Sequence, residues 1–189
     1  MNSKKNNNNN RIIFMGLAIA INLIGGFIAL SIKLPIYLDT VGTILVSVLF
    51  GPISGAIVGG LSSIVNAITF DPISFYFIPV QLVFGLSTGL LFKDGNFRRA
   101  KSIISIVVVT LLSSATAAVI VSFVFGGVTS SGSSILVAIL KNSGISIITS
   151  VFSTQIFTDL LDKAISFGIV FAIIKMLPEN IKSKSGWGK

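Results

Sequence analysis

Cysteine and histidine are both absent from this chain. Disulfide frameworks and thiol chemistry are thereby excluded, as are most zinc, haem and iron–sulfur sites and most nucleophile–base pairs. Charge is scarce too. Only 11% of the 189 residues are charged, against about 25% in an ordinary soluble domain. The one glutamate, Glu179, sits in the C-terminal tail, and no GxxxxGK[ST] run occurs. Without that loop the chain does not cradle nucleotide phosphates in the usual way. Catalytic machinery, a metal site and a cofactor are not expected, and uphill movement of a solute would draw on an ion gradient or on another subunit.

What is present is apolar. Hydrophobic residues make up 52% of the chain and the mean hydropathy is +0.95. About twenty apolar residues are needed for a helix to cross a bilayer. The apolar runs predict spans at 11–31, 37–50, 53–69, 75–92, 102–125 and 155–177. The breaks fall at Lys33–Pro35, Gly51-Pro52, Asp71-Pro72, the charged stretch KDGNFRRAK (93–101) and the turn-rich GGVTSSGSS (126–134). Residues 135–150 are read as an extra surface or re-entrant helix between spans five and six, because a seventh span would carry Lys141-Asn142 through the bilayer. The expected fold is an all-α integral membrane protein, a compact six-transmembrane-helix bundle over residues 11–178. It is preceded by a disordered Asn-rich tail (1–10) and followed by a basic cytoplasmic tail (179–189). The first apolar run is too long for the h-region of a signal peptide and is read as a retained span.

An even span count puts both termini on one side. With that side in the cytoplasm, eleven basic residues lie inside and only Lys33, Lys141 and Lys163 outside, a strong positive-inside bias. The same clustering beside apolar spans argues that the net charge of +8 is not a nucleic-acid footprint.

The polar residues that remain fall near one membrane face. Asp39, Asp71, Asp159 and Asp162 lie at or just inside outward span ends, in the same zone as Asn66, Gln81, Asn142 and Gln155. Ionisable groups at such positions are costly and point to function. Asn66, Tyr76, Gln81, Asn142, Gln155 and Asp159 are the candidates for polar contact with a solute. Phe75 and Phe77 would form walls, and segments 32–38 and 126–150 would act as lids. Structural roles compete with this reading. Asp39 with Thr40 would cap the second helix, Asp71 would start a turn, and Asp159 would pair with Lys163 at i, i+4. Small residues recur at four-residue spacing in Gly51/Gly55/Gly59, Gly16/Ala20, Gly25/Ala29 and Gly85/Gly89. Such stripes allow close helix approach, either within the bundle or against a partner membrane subunit.

Residues 34–68 (LPIYLDTVGTILVSVLFGPISGAIVGGLSSIVNAI), 78–92 (IPVQLVFGLSTGLLF) and 158–178 (TDLLDKAISFGIVFAIIKMLP) together resemble the substrate-binding S component of energy-coupling factor (ECF) vitamin transporters. The resemblance implies six helices that bind a vitamin or precursor near the outer face of the bacterial plasma membrane. It also implies a transmembrane coupling subunit and two cytoplasmic ATPases as partners. The first helix of such proteins often carries a small-residue motif for the coupling subunit, which Gly16-x-x-x-Ala20 matches as a variant. The aromatic and polar residues suit a planar, polar heterocycle. Two other readings stay open: a membrane sensor or regulatory module, and a small ion-coupled transporter, which would usually be longer and built from inverted repeats.

The charge split predicts that Ser3→Cys, Asn96→Cys and Ser185→Cys resist an impermeant thiol reagent in intact cells, whereas Ser131→Cys reacts. Labelling of Ser185→Cys from outside would overturn the six-span arrangement.

Overall fold

The computed structural model describes residues 2–92 and 101–178, with side chains from residues 9–92 and 102–178. Most of the charged loop at 93–101 and the whole basic tail at 179–189 lie outside the described residues. The helices are α1 (Asn2–Ser31), α2 (Val41–Phe50), α3 (Pro52–Thr69), α4 (Ile78–Leu91), α5 (Lys101–Phe123), α6 (Ser133–Asn142) and α7 (Ile147–Met176), with a 3₁₀ helix at Pro72–Phe77 leading into α4. Their punctuation follows local chemistry. Gly51, at φ 88°, turns α2 directly into α3, which starts on Pro52, where a missing N–H costs nothing. The Asp71 side chain accepts from Ile73 N at 3.3 Å and opens the 3₁₀ turn.

Three boundaries differ from the sequence expectation. First, α1 begins at Asn2, so the Asn run expected as a disordered tail is helix continuous with the apolar span. Extending an existing helix adds a hydrogen bond without a new nucleation cost. Second, the segment expected as a span from 37 is helical only from Val41. The backbone N–H groups of Tyr37 and Leu38 donate to Asp162 Oδ1 at 3.1 and 2.8 Å, and Leu38 takes a positive φ of 53°. Third, the expected helix over 135–150 is divided. α6 stops at Asn142, and Gly144, at φ 89°, turns the chain. Ser146 then caps α7 by accepting from Thr149 N at 3.2 Å, so the last helix starts at Ile147 rather than 155.

α2 is the hub. It packs against α1, α3, α4 and α7, and every residue from Val41 to Leu49 is buried. The remaining helices surround it with apolar outer faces. Leu82, Leu86 and Leu90 on α4, and Ile156, Leu160, Ile165 and Ile169 on α7, are exposed. The interior, by contrast, contains Asn22, Thr43, Ser47, Gln81, Asp159, Asp162 and Lys163. A soluble protein places these classes the other way round, and apolar surface this extensive calls for lipid. Asn9–Ser31, Pro52–Thr69, Pro72–Leu91 and Ser102–Phe123 are long and apolar enough to cross a membrane. α7, at 30 residues, is about 45 Å long. It falls outside that set through the charges Asp159, Asp162 and Lys163, all of which it turns into the protein.

Most of the small-residue stripes are internal joints. A Cβ on Gly85 would stand 2.5 Å from the backbone carbon of Gly55, and one on Gly89 2.3 Å from Pro52 Cα. These contacts set the α3–α4 spacing. Gly25 admits the Leu38 carbonyl to α1, and Gly132 admits that of Lys33. Gly16 differs: nothing lies within 4 Å of the place its Cβ would occupy.

Backbone contact leaves α3 and α4 no side chain to move aside. Gly85→Ala should therefore cost about 1–3 kcal/mol or more and lower the thermal midpoint of the detergent-solubilised protein. Gly168→Ala, with nothing within 4 Å, should leave the midpoint equal or higher. Equal midpoints for both variants would refute the joint.

Candidate functional site: a polar cavity at one end of the bundle

The C-terminal ends of α1 and α3 and the N-terminal parts of α2, α4 and α7 gather at one end of the bundle. A cavity opens between them, with a volume of about 110 Å³ for the centres of water molecules. It has room for several waters or one small organic molecule. Its walls include Asn22, Gly26 and Leu30 of α1, Ser62, Ser63 and Asn66 of α3, and Val80, Gln81 and Phe84 of α4. α5 contributes Ser113 and Ala117, and α7 contributes Gln155, Asp159 and Lys163. Residues of segment 34–40 and of the Thr129–Ser131 stretch complete the lining.

A buried ion pair forms the floor of the site. Lys163 Nζ lies 2.5 Å from Asp162 Oδ2, donates to Thr40 Oγ1 at 3.3 Å, and sits 4.9 Å from the centroid of the Phe84 ring. That last distance is within cation–π range. The other Asp162 oxygen accepts the two amides of Tyr37 and Leu38. Lys163 therefore pairs with its chain neighbour rather than with Asp159, as i, i+4 spacing suggested. Asp159 instead accepts from Ser114 Oγ at 2.6 Å and from Gln155 Nε2 at 3.2 Å. Gln155 Nε2 also lies 3.3 Å from the Tyr37 hydroxyl, whose second neighbour is Ser133 Oγ at 3.2 Å.

A second cluster lies across the cavity. Asp39 does not cap α2, since Thr40 is the N-cap and makes no side-chain cap bond. Asp39 Oδ2 accepts from Gln81 Nε2 at 3.0 Å. Because the carboxylate requires a donor, it fixes which end of the Gln81 amide faces it. Gln81 Oε1 is left buried without a donor. Asn66 is similar: its Nδ2 donates to Ser74 Oγ at 2.7 Å, while Oδ1 has no partner. Asp71 accepts from Ser130 Oγ at 2.5 Å, tying the Thr129–Ser131 stretch to the 3₁₀ turn. Asn22 is fully satisfied by Thr43, Ser62 and the Gly42 amide, which marks it as a joint between α1, α2 and α3.

Of the six residues singled out in the sequence, Asn66, Gln81, Gln155 and Asp159 line the cavity together. Tyr76 stands apart, about half exposed, with its ring edge-on to Phe125 at 5.2 Å. Asn142 is exposed at the end of α6. The six contact candidates left out Tyr37, Asp39 and Lys163, although the sequence placed Asp39 and Lys163 in the same outward polar zone. Tyr37 and Asp39 are close together in a segment expected to be helix, where they would have pointed apart. The backbone there is not helical, and Leu38, at a positive φ of 53°, redirects the chain so that both residues reach the cavity.

The site is suited to binding. Its polar atoms are oriented and largely buried between apolar walls, the usual make-up of a small-molecule pocket. Among the described residues, no group of three or more His, Cys, Asp or Glu side chains stands ready to hold a metal ion.

Comparison with curated proteins gives no match, and neither does comparison with solved structures. A family model described as "ECF transporter, substrate-specific component" matches residues 10–174. That interval takes in every residue that lines the cavity. Family match, apolar helix surfaces and a polar cavity agree: this chain belongs to the substrate-specific components of ECF transporters, membrane subunits that serve transport and are not enzymes.

Proposed function

We propose that this protein captures a vitamin or related micronutrient at the outer face of a bacterial plasma membrane. It would then deliver its substrate inward with a transmembrane coupling subunit and two cytoplasmic ATPases. The observation that carries the reading is the cavity: one oriented, mostly buried polar set at a single end of an apolar bundle whose sequence matches the family over residues 10–174. Arg11 and Lys175 lie on the parts of α1 and α7 away from the cavity, and the other basic residues adjoin those helix ends in sequence, which supports an outward cavity.

In this reading the bundle crosses six times, with both termini inside. α2 is only about 15 Å long, and the non-helical residues 37–40 that lead into it lengthen the stretch toward the thickness of the hydrocarbon core. Non-helical backbone at that depth is tolerated when protein surrounds it, and Asp162 supplies the hydrogen bonds. α7 crosses with its charges facing inward. Asn66, Gln81, Gln155 and Asp159 make the polar contacts to substrate, with Tyr37 and Asp39 added to the set. The coupling subunit docks on α1 at Gly16 and Ala20, which are exposed beside Ile13 and Leu17.

Co-purification with a coupling subunit and ATPases tests the assembly, and mass spectrometry of molecules released from the purified protein tests the cargo. Asn66→Ala, Gln81→Ala and Asp159→Asn should each weaken substrate binding by about five- to hundredfold, the loss of roughly 1–3 kcal/mol from one buried hydrogen bond. Unchanged affinity in all three folded variants would put the binding site elsewhere. Ala20→Leu should reduce recovery of the coupling subunit while substrate binding persists, because close helix approach tolerates little beyond a methyl group. Normal assembly and uptake by Ala20→Leu would remove this face as the docking surface.

A further inference from the structure

The sign of the cavity is opposite to that of the chain. The protein as a whole carries a formal charge of +8. Asp39, Asp71 and Asp159 line the cavity, with Lys163 as the lining cation, and Lys163 is already paired with Asp162. One ammonium thus serves four carboxylates. The donors that reach the other three are neutral: Gln81 for Asp39, Ser130, Ser74 and the Ile73 amide for Asp71, and Ser114 and Gln155 for Asp159.

An independent feature points the same way. Gln81 is 5% exposed and lines the cavity, and its carbonyl oxygen has no donor. The Asp39 carboxylate prevents the amide from turning to offer its NH₂ group instead. Asn66, on the neighbouring helix, donates to Ser74 and likewise has a carbonyl oxygen without a donor. The wall thus holds two buried oxygens that lack a donor. A ligand that brings N–H groups and positive charge satisfies both deficits, while an anion meets three lining carboxyl groups that share a single ammonium, in a low-dielectric setting where repulsion is strong. A bare metal ion fits less well, since the described carboxylates are not gathered into a chelating group. Tyr37, Phe77 and Phe84 supply flat aromatic surface on the same walls, and cations favour such faces.

We propose that the cavity accepts a small, planar organic cation that donates hydrogen bonds, of the amidine or amino-heterocycle type. This assigns a substrate class and rests on the transport reading above. Asp39 and Asp159 bind its charge, and Gln81 and Asn66 accept its N–H groups.

The test is calorimetric titration of the full chain in lipid nanodiscs with three probes of one shape: benzamidinium, benzamide and benzoate. Benzamidinium should bind about tenfold or more tightly than neutral benzamide, because a charged hydrogen-bonded contact is worth at least that factor, and benzoate should not bind. Asp39→Asn should erase the preference for benzamidinium over benzamide, and so should Asp159→Asn. Benzoate or benzamide binding as tightly as benzamidinium, or no binding by any of the three, would overturn the proposal. The wild-type comparison needs no variant to fold. Recovery of a coupling subunit and ATPases is scored separately. Assembly without cation preference rejects the substrate class and keeps the transport reading, whereas failure to assemble rejects the transport reading itself.

Discussion

The Asp162 carboxylate ties the cavity end of the molecule together. One oxygen binds Lys163 at 2.5 Å, and the other takes the amides of Tyr37 and Leu38. The ammonium in turn reaches Thr40, the residue that starts α2. A single fully buried side chain thus joins the middle of the last helix to the segment that leads into the central one. Burying two charges costs several kcal/mol per ion unless their hydrogen-bonding capacity is also met. Here backbone amides, a hydroxyl and an aromatic face help to meet it. Without Asp162, Lys163 would lose its ion-pair partner, and two amides in the segment before α2 would lose their acceptor. The conformation at Leu38, positive in φ and unfavourable by about 1–3 kcal/mol for a residue with a side chain, persists because these contacts and the close approach to Gly25 fix it.

That clasp is also why the interior can be polar. In lipid, apolar side chains gain little by being buried against one another, so helices join through close packing and hydrogen bonds. Asn22 bonds α1 to α2 and α3. Ser47 bonds α2 to the Gly85 carbonyl of α4 at 3.1 Å, beside the Gly55–Gly85 contact. The cavity is an extension of this packing scheme. It lies where the interhelical polar network widens, and where Gln81 and Asn66 each keep an oxygen unmatched.

The class of the protein was legible in the sequence because it depends on composition and on run length. Apolar runs located α1, α3, α4 and α5 closely. Where single side chains decide the backbone, the sequence carried less. Nothing in YLDT says that Tyr37 and Leu38 will give their amides to a carboxylate more than a hundred positions away, so the start of α2 was placed too early. Ser146 and Gly144 are ordinary cap and turn residues, but they stood inside a longer apolar stretch that hid them. The site was legible in part for the same reason. Asn66, Gln81, Gln155 and Asp159 stand out as polar residues in apolar helices, and they meet at one cavity. Tyr76 and Asn142 met the same criterion of depth, yet side-chain direction takes them elsewhere. Depth along a span is readable from a pattern, whereas facing direction in short, broken helices depends on where each break falls.

The fate of the small-residue stripes shows how far spacing alone can be taken. Four-residue repeats in α1, α3 and α4 look alike as sequence, yet they do different things. Gly85 and Gly89 are closed against backbone, Gly55 against the Ser47 side chain, and Gly25 against the Leu38 carbonyl. Gly16 has open space where its side chain would be. α1 thus divides along its length and around its axis. Its C-terminal part gives Asn22, Gly26 and Leu30 to the cavity, while its N-terminal part presents Gly16 and Ala20 unpacked. A rigid helix carries displacement from one end to the other. A membrane partner seated on the open face would therefore bear on the same element that walls the cavity, within two turns of the Asn22 joint that locks α1 to α2 and α3.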